Sequence, residues 1–273
     1  MEKLSLGLCQ TRTAISKEDN LREAADSVRR AAKAGARLVC LPEMFSCPYE
    51  NSFFVRYAEP AGGQTFEALS DMARKNGVYL IGGSAPEQGE GGAIYNTSYC
   101  FDPRGEPAAR HRKIFLFDVD LGPGGFRFAE SDTLKAGDEI TLFDSPWGKI
   151  GVAICFDLRF PELFRAMACR GAVLAVLPGA FSMATGPEHW RLSLRMRAVD
   201  NQVFTAGISP ARDRRGVYVS YAHSLICDPW GRVLGELGGR RGILLRELDI
   251  TLVEKIRREL PLLRLFNDKK ELF

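Results

Sequence analysis

Lys149-Ile150-Gly151-Val152-Ala153-Ile154-Cys155-Phe156-Asp157-Leu158-Arg159-Phe160-Pro161-Glu162 is the stretch from which the rest of the chain is read. Lys149 to Ile154 is a short run rich in β-branched residues, the pattern of a buried strand. Pro161-Glu162, followed by Leu163, Phe164 and Met167, reads as the first turn of a helix, because proline suits the first helical position. Cys155 therefore falls at a strand-to-helix junction. Open α/β folds put their chemistry at the carboxyl ends of strands, and a nearby helix amino terminus favours a thiolate over a thiol. The plainer reading stays open, since free cysteine is among the most buried residue types.

Upstream, Lys3 to Cys9 alternates Leu4, Leu6 and Leu8 with smaller or polar residues, the pattern of a first strand. Ser16 with Asp19 resembles a capping box, and Leu21, Ala24, Ala25, Val28, Ala31 and Ala32 recur at helical spacing up to Gly35. Strands are expected at Arg37 to Leu41 and Val78 to Gly83, with a helix over about Thr65 to Asn76 between them. Tyr95 to Phe101 and Ala108 to His111 flank Asp102-Pro103-Arg104-Gly105 as a hairpin. Phe115 to Gly137 reads as a long irregular loop, and loops of that length in compact domains are usually functional or disordered. Thr141 to Phe143 resumes the strands.

Downstream, a helix to Arg170-Gly171, a strand at Val173 to Leu177 and a helix from Pro187 to about Gln202 follow. Val203 to Ser209, Ser224 to Cys227, Val233-Leu234 and Gly242 to Leu248 are strands, and Thr251 to Glu259 is a short helix. The tail from Pro261 to Phe273 mixes apolar residues with charges and hints at a subunit contact. Residues 1–273 thus read as one α/β domain with a tail from about residue 261, without repeats or a linker. Helices interleaved with strands in both halves point to two sheets packed face to face with helices outside, with a single twisted sheet as the alternative.

The 273 residues carry a net charge of +3 from basic and acidic residues mixed along the chain, so no nucleic-acid partner is expected. No apolar run is long enough to span a membrane, and Met1 to Gln10 lacks signal-peptide character; a soluble cytoplasmic protein is the expectation. The seven cysteines have irregular spacings without a C-x-x-C pair, which fits reduced thiols better than a disulfide framework or zinc knuckle. His111, His189 and His223 lack metal-ligand spacing, so neither a metal nor a cofactor is expected.

Three reactive residues share one kind of position. Glu43 follows the strand Leu38 to Leu41, Lys113 the strand ending near His111, and Cys155 the strand Lys149 to Ile154. A cysteine nucleophile needs a base, a cation or amide donors for the oxyanion, and an acid for the leaving nitrogen. Glutamate, lysine and cysteine can fill these roles without histidine. Spacing alone leaves open that Glu43 is a surface or capping carboxylate and Lys113 a solvated amine. A Cys-His pair using His189 or His223 is a further alternative.

The motifs around these residues resemble one family. Leu41-Pro42-Glu43-Met44-Phe45, His111-Arg112-Lys113-Ile114-Phe115-Leu116-Phe117-Asp118 and Gly151 to Glu162 resemble, in order, the signature segments of the nitrilase superfamily of carbon-nitrogen hydrolases. That resemblance implies an α-β-β-α sandwich, usually dimerised, and a Glu-Lys-Cys triad at Glu43, Lys113 and Cys155. Glu130, in Phe128-Ala129-Glu130-Ser131, matches a second family glutamate that orients the substrate amide or Lys113; an ordinary loop carboxylate is the alternative. Pro178 to Trp190, Arg197 to Val203 and Ser209 to Asp213 are similar to the omega-amidase branch, which cleaves the terminal amide of 2-oxoglutaramate and 2-oxosuccinamate. Met44 stands where that branch often carries cysteine, and Phe156 where tyrosine is usual. Gly124-Gly125-Phe126-Arg127-Phe128 falls in a variable region.

The implied mechanism is attack by Cys155 with Glu43 as base, an oxyanion held by Lys113 and the Phe156 backbone N–H, and a thioester that water hydrolyses. For the distal carboxylate of an oxo-acid, Arg159 offers a planar fork, unless it pairs structurally with Asp157 or Glu162. Tyr49, Phe181 and Thr185 are expected as pocket walls. Other outcomes are an amidase for deaminated glutathione, an N-carbamoyl amino acid amidohydrolase, or a catalytically silent binding protein of the same fold.

Overall fold

A computed structural model describes residues 3–123, 127–269 and 271. Gly124, Gly125 and Phe126 of the variable loop, and Leu272 and Phe273 of the tail, lie outside the described residues. The first half runs β1 (Leu4–Gln10), α1 (Lys17–Lys33), β2 (Leu38–Cys40), α2 (Asn51–Tyr57), β3 (Glu59–Pro60), α3 (Gln64–Asn76), β4 (Tyr79–Ile81), β5 (Ala85–Gln88), β6 (Ile94–Phe101) and β7 (Pro107–Arg112). Then come β8 (Asp118–Asp120), β9 (Arg127–Ala129), β10 (Leu134–Lys135), β11 (Thr141–Ser145), β12 (Gly148–Val152), α4 (Pro161–Cys169), β13 (Ala172–Pro178) and α5 (Gly186–Asn201). The chain closes with β14 (Phe204–Ile208), β15 (Leu225–Cys227), β16 (Val233–Glu236), β17 (Gly242–Leu248), α6 (Thr251–Glu259) and α7 (Leu262–Asn267).

Two sheets result. One follows the order β17-β1-β2-β4-β6-β5-β3, with β7 and β10 also paired to β6; the other is β11-β12-β13-β14-β15-β16. Period-2 alternation assigns each strand two faces. Leu4, Leu6, Leu8, Leu38 and Cys40 of the first sheet share a buried core with Ile150, Val152, Leu174, Val176 and Phe204 of the second. The opposite faces meet helices: Val39 and Leu41 pack with Val28, Ala31, Leu69 and Met72 of α1 and α3. Ala175 and Leu177 pack with Phe164, Met167, Trp190 and Leu194 of α4 and α5. Each fully buried leucine contributes roughly 1.5–3 kcal/mol, so alternation in β1, β2, β12 and β13 locks the layer order. This is the α-β-β-α sandwich the motifs implied.

Local signals act as expected at α1, where the Ser16 side chain accepts from the Asp19 N–H, and at α4, where Pro161 occupies the first turn. Three expectations need correction. The strand through Ile150 ends at Val152, and one 3-10 turn (Cys155–Arg159) intervenes before α4. The segment Phe115 to Gly137 is less irregular than its composition implies: β8 and β9 form a hairpin and β10 joins β6. The tail holds α7, whose Leu263 is buried against the α4–α5 layer and whose Phe266 lies under Arg165, 5.1 Å from its guanidinium. Part of that apolar tail is therefore covered by its own chain.

Candidate active site

Glu43, Lys113 and Cys155 leave strands of different sheets, β2 and β7 from one and β12 from the other. They converge at the edge where the sheets meet. Beside Glu43, Met44 adopts φ +47°, a left-handed conformation costing on the order of 1–3 kcal/mol for a non-glycine residue. Ser84 holds it: the Met44 N–H donates to Ser84 Oγ (3.0 Å), the Phe45 N–H to the Ser84 carbonyl (3.1 Å), and the Ser84 N–H to the Pro42 carbonyl (3.2 Å). Gly83 permits this approach. It has φ +63°, and a Cβ there would stand 2.1 Å from the Pro42 oxygen.

Lys113 is fixed by its backbone, donating to the Asn96 carbonyl (2.9 Å) and accepting from the Gly137 N–H (2.8 Å). Cys155 also has φ +47°, and Asp157 secures its turn. One Asp157 oxygen accepts from the Ile154 N–H (2.8 Å) and the other from the Phe115 N–H (2.9 Å). His111 Nε2 lies 3.2 Å from Asp157, and His111 Nδ1 lies 3.0 Å from Thr141 Oγ1. Asp157 and His111 are fully buried, so this network ties the Cys155 turn to the strand that delivers Lys113.

The side chains of Glu43, Lys113 and Glu130 are fully buried, which removes the surface-carboxylate and solvated-lysine readings. The Lys113 ammonium donates to Glu43 (3.1 Å) and Glu130 (3.0 Å). Glu43 also accepts from Asn96 Nδ2 (2.9 Å) and the Ala180 N–H (2.8 Å). Glu130 accepts from the Tyr49 hydroxyl (2.6 Å) and the Phe117 N–H (2.7 Å). Glu130 is thus a Lys113 partner rather than an ordinary loop carboxylate.

Burial opposes charge on Lys113, but Glu130 and then Glu43 outweigh it and hold its pKa well above the usual lysine value. Burial pushes the Glu43 pKa up; Lys113 counters this and Glu130 reinforces it. Burial, followed by the charge of Glu43, pushes the Cys155 thiol well up, with Lys113 opposing. Desolvation thus opposes the thiolate expected beside a helix amino terminus and favours the thiol with its proton. A carboxylate of raised pKa is a stronger base than a free one, which suits it to accept that proton.

Of the expected substrate-binding residues, Phe156, Arg159, Phe181 and Thr185 line one narrow cavity of about 10 Å³ with Cys155, Phe117, Ala180 and Ser182. Tyr49 lies apart from that group, bonded to Glu130 and lining a larger cavity of about 670 Å³ that also reaches Glu43, Ala180 and Tyr218. The structural ion pair offered for Arg159 is not formed: Asp157 is engaged by His111 and two backbone amides, and Arg159 instead meets His189, Nη1 to Nδ1 at 3.1 Å. His189 contacts Arg159, while His223 faces Glu236 (3.1 Å), so neither takes up the role of a base for Cys155. Among the described residues no cluster suited to a metal ion occurs. No helix is long and apolar enough to cross a membrane.

The carbon-nitrogen hydrolase family model matches residues 5–258. The chain belongs to that family. Omega-amidase NIT2-A of Xenopus laevis is 46% identical over 97% of this chain and 95% of its own length. Among solved structures, Saccharomyces cerevisiae Nit3, a member of branch 10 of the nitrilase superfamily, superposes with a TM-score of 0.88 at 38% identity, over 96% of this chain and 95% of its own. A glutamate-to-glutamine mutant of the amidase from Nesterenkonia sp. AN1, bearing acrylamide at its active site cysteine, gives 0.77 at 27% identity, over 94% and 98%. This carbon-nitrogen hydrolase is thus an amidase-type enzyme rather than a silent binding protein.

Several residues of the hydrolase site escaped sequence reading. Asn96 lies in an Asn-Thr-Ser run that is fully buried within β6, and three polar residues inside a central strand were the available signal. Tyr218 donates to the Ala180 carbonyl (2.6 Å) and packs on Tyr49, ring centroids 4.9 Å apart. Nothing local in the sequence marks it, because the loop that carries it meets the site only in the fold.

Proposed function

We propose that this enzyme hydrolyses the terminal amide of a small oxo-dicarboxylate, 2-oxoglutaramate or 2-oxosuccinamate, to the dicarboxylate and ammonia through a Cys155 thioester. The observation that carries the reading is the buried Glu43–Lys113–Glu130 cluster beside Cys155, with Arg159 lining the same narrow cavity as Cys155. Cys155 Sγ attacks the amide carbon as Glu43 takes the thiol proton. The Lys113 ammonium and the Phe156 backbone N–H hold the oxyanion. Glu43 then protonates the departing nitrogen, ammonia leaves, and a water deprotonated by Glu43 cleaves the thioester. Adduct formation at the cysteine of the Nesterenkonia relative supports the nucleophile.

Substrate choice follows from Arg159. Its Nε–H is buried without an acceptor among the described residues, a donor that a substrate carboxylate would satisfy. Phe156 and Phe181 flank it as apolar walls, and the cavity must widen by rotation of these side chains to admit a five-carbon acid. The names of the NIT2 relatives support the omega-amide assignment. Leu192 and Met196, one turn apart on α5, are 57% and 42% exposed, in keeping with a homodimer built across that layer.

The test is ammonia release from 2-oxoglutaramate, deaminated glutathione and an N-carbamoyl amino acid side by side, with Cys155→Ala as control. The highest kcat/KM is expected for 2-oxoglutaramate. A preference for either other substrate overturns the substrate assignment, and turnover by Cys155→Ala overturns the mechanism.

A further inference from the structure

Arg159 is held unusually for a surface-proximal arginine. Its guanidinium carbon lies 5.4 Å from the Phe156 ring and 5.1 Å from the Phe181 ring. Contacts between a planar cation and aromatic rings restrain its tilt but leave rotation within its own plane soft. What opposes that rotation is one polar contact, Nη1 to His189 Nδ1 at 3.1 Å. Arginine can only donate, so Nδ1 accepts, and the imidazole is neutral with its proton on Nε2. His189 is itself anchored in the first turn of α5, its N–H donating to the Thr185 carbonyl (2.9 Å).

Which nitrogen is taken matters. Nη1 lies on the side of the guanidinium away from the Nε–H, so a partner at Nη1 leaves the Nε–H and its neighbouring Nη2–H as a parallel pair. Nε is the buried donor without an acceptor among the described residues. We infer that His189 is a positioning residue for substrate recognition: by engaging Nη1 it turns the Nε/Nη2 edge of Arg159 toward the distal carboxylate of the substrate. This rests on the proposed role of Arg159 as carboxylate clamp. Bidentate recognition depends on that in-plane orientation, whereas acyl transfer at Cys155 does not.

The experiment compares 2-oxoglutaramate with a neutral linear amide of the same chain length, using wild type, Arg159→Gln, His189→Ala, His189→Asn and the double variant Arg159→Gln/His189→Ala. Thermal midpoints establish that each is folded. His189→Ala is expected to raise KM for 2-oxoglutaramate about 3–10-fold, the size of one partly exposed hydrogen bond, with kcat unchanged and the neutral amide unaffected. Asparagine, whose Oδ1 occupies the place of Nδ1, restores KM. The double variant is no worse than Arg159→Gln alone. An unchanged KM in His189→Ala, an equal loss on both substrates, or additivity with Arg159→Gln overturns the positioning role while the clamp stands. Equal losses on both substrates in Arg159→Gln overturn the clamp, and His189 positioning with it.

Discussion

Replacing Glu130 by glutamine probes the arrangement of one ammonium between two carboxylates. Glutamine is near-isosteric, yet it cannot satisfy the site. Glu130 uses Oε1 for Tyr49 and Lys113 and Oε2 for the Phe117 N–H at 2.7 Å, with the Lys113 ammonium also 2.9 Å from Oε2. With the amide oxygen in the place of Oε1, the NH2 in the place of Oε2 meets both the Phe117 N–H and the Lys113 ammonium donor to donor, leaving a buried donor unpaired at roughly 1–3 kcal/mol. The charge lost from the Lys113 hydrogen bond adds about 1–2 kcal/mol. A total near 3 kcal/mol predicts that kcat/KM falls about 10²-fold, at 1.36 kcal/mol per tenfold. The pH dependence gives a second reading. Burial raises the Glu43 pKa, Lys113 lowers it and the Glu130 charge raises it. Removing that charge moves Glu43 down, so the acidic limb of kcat/KM shifts to lower pH beneath a reduced plateau. Ammonia release measured against pH, with thermal melts to establish folding, decides the matter. Wild-type kcat/KM, or an acidic limb that stays in place, refutes the role given to Glu130.

Other changes test the supports of the site. Asp157→Ala leaves the Ile154 and Phe115 amides and His111 without their shared acceptor, and a loss of roughly 3–5 kcal/mol is expected; a denaturant titration measures it, and a loss below 1 kcal/mol would show the brace to be dispensable. Gly83→Ala puts a Cβ 2.1 Å from the Pro42 oxygen at φ +63°, displacing the loop that sets Glu43, so kcat should drop about tenfold or more with the melting temperature lowered only a few degrees. Glu43→Gln removes the group that takes the thiol proton and returns it to the leaving nitrogen, so kcat for ammonia release should fall at least about 10²-fold; turnover at the wild-type rate would remove Glu43 as base.

The layers were legible because periodicity carries burial. Leu4, Leu6 and Leu8 alternate, and the buried run at Val173 to Leu177 marked a strand covered on both faces. The three strand-end residues were equally visible, since position along a strand fixes which edge a side chain reaches. What spacing could not supply was their convergence: Glu43 and Lys113 come from one sheet and Cys155 from the other, and only the packing of β2 and β7 against β12 brings them together. The thiol's pKa was misjudged for a related reason. The sequence displays a helix start at Pro161 but not the desolvation at Cys155, and desolvation is the larger effect. Ala180 and Tyr218 act through hydrogen bonds across loops distant in sequence, for which no local pattern exists, and Asn96 left only a polar run within β6 as its mark.

One lysine against two carboxylates also accounts for how such chemistry proceeds among fully buried side chains. With Cys155 as a thiol, Lys113, Glu43 and Glu130 together carry one net negative charge. Moving the thiol proton to Glu43 leaves that total unchanged, so the step escapes the penalty of creating a new buried charge. Attack on the amide shifts the negative charge from sulfur to the oxyanion, toward Lys113, again without altering the sum. When Glu43 returns its proton to the departing nitrogen, neutral ammonia leaves and the starting charge is restored around a neutral thioester. The hydrolytic half repeats the sequence with water in place of the thiol. Had Glu130 been absent, each step would run in a neutral cluster and Glu43, no longer held up by a neighbouring charge, would be the weaker base. The second glutamate sets the charge at which the other three residues operate.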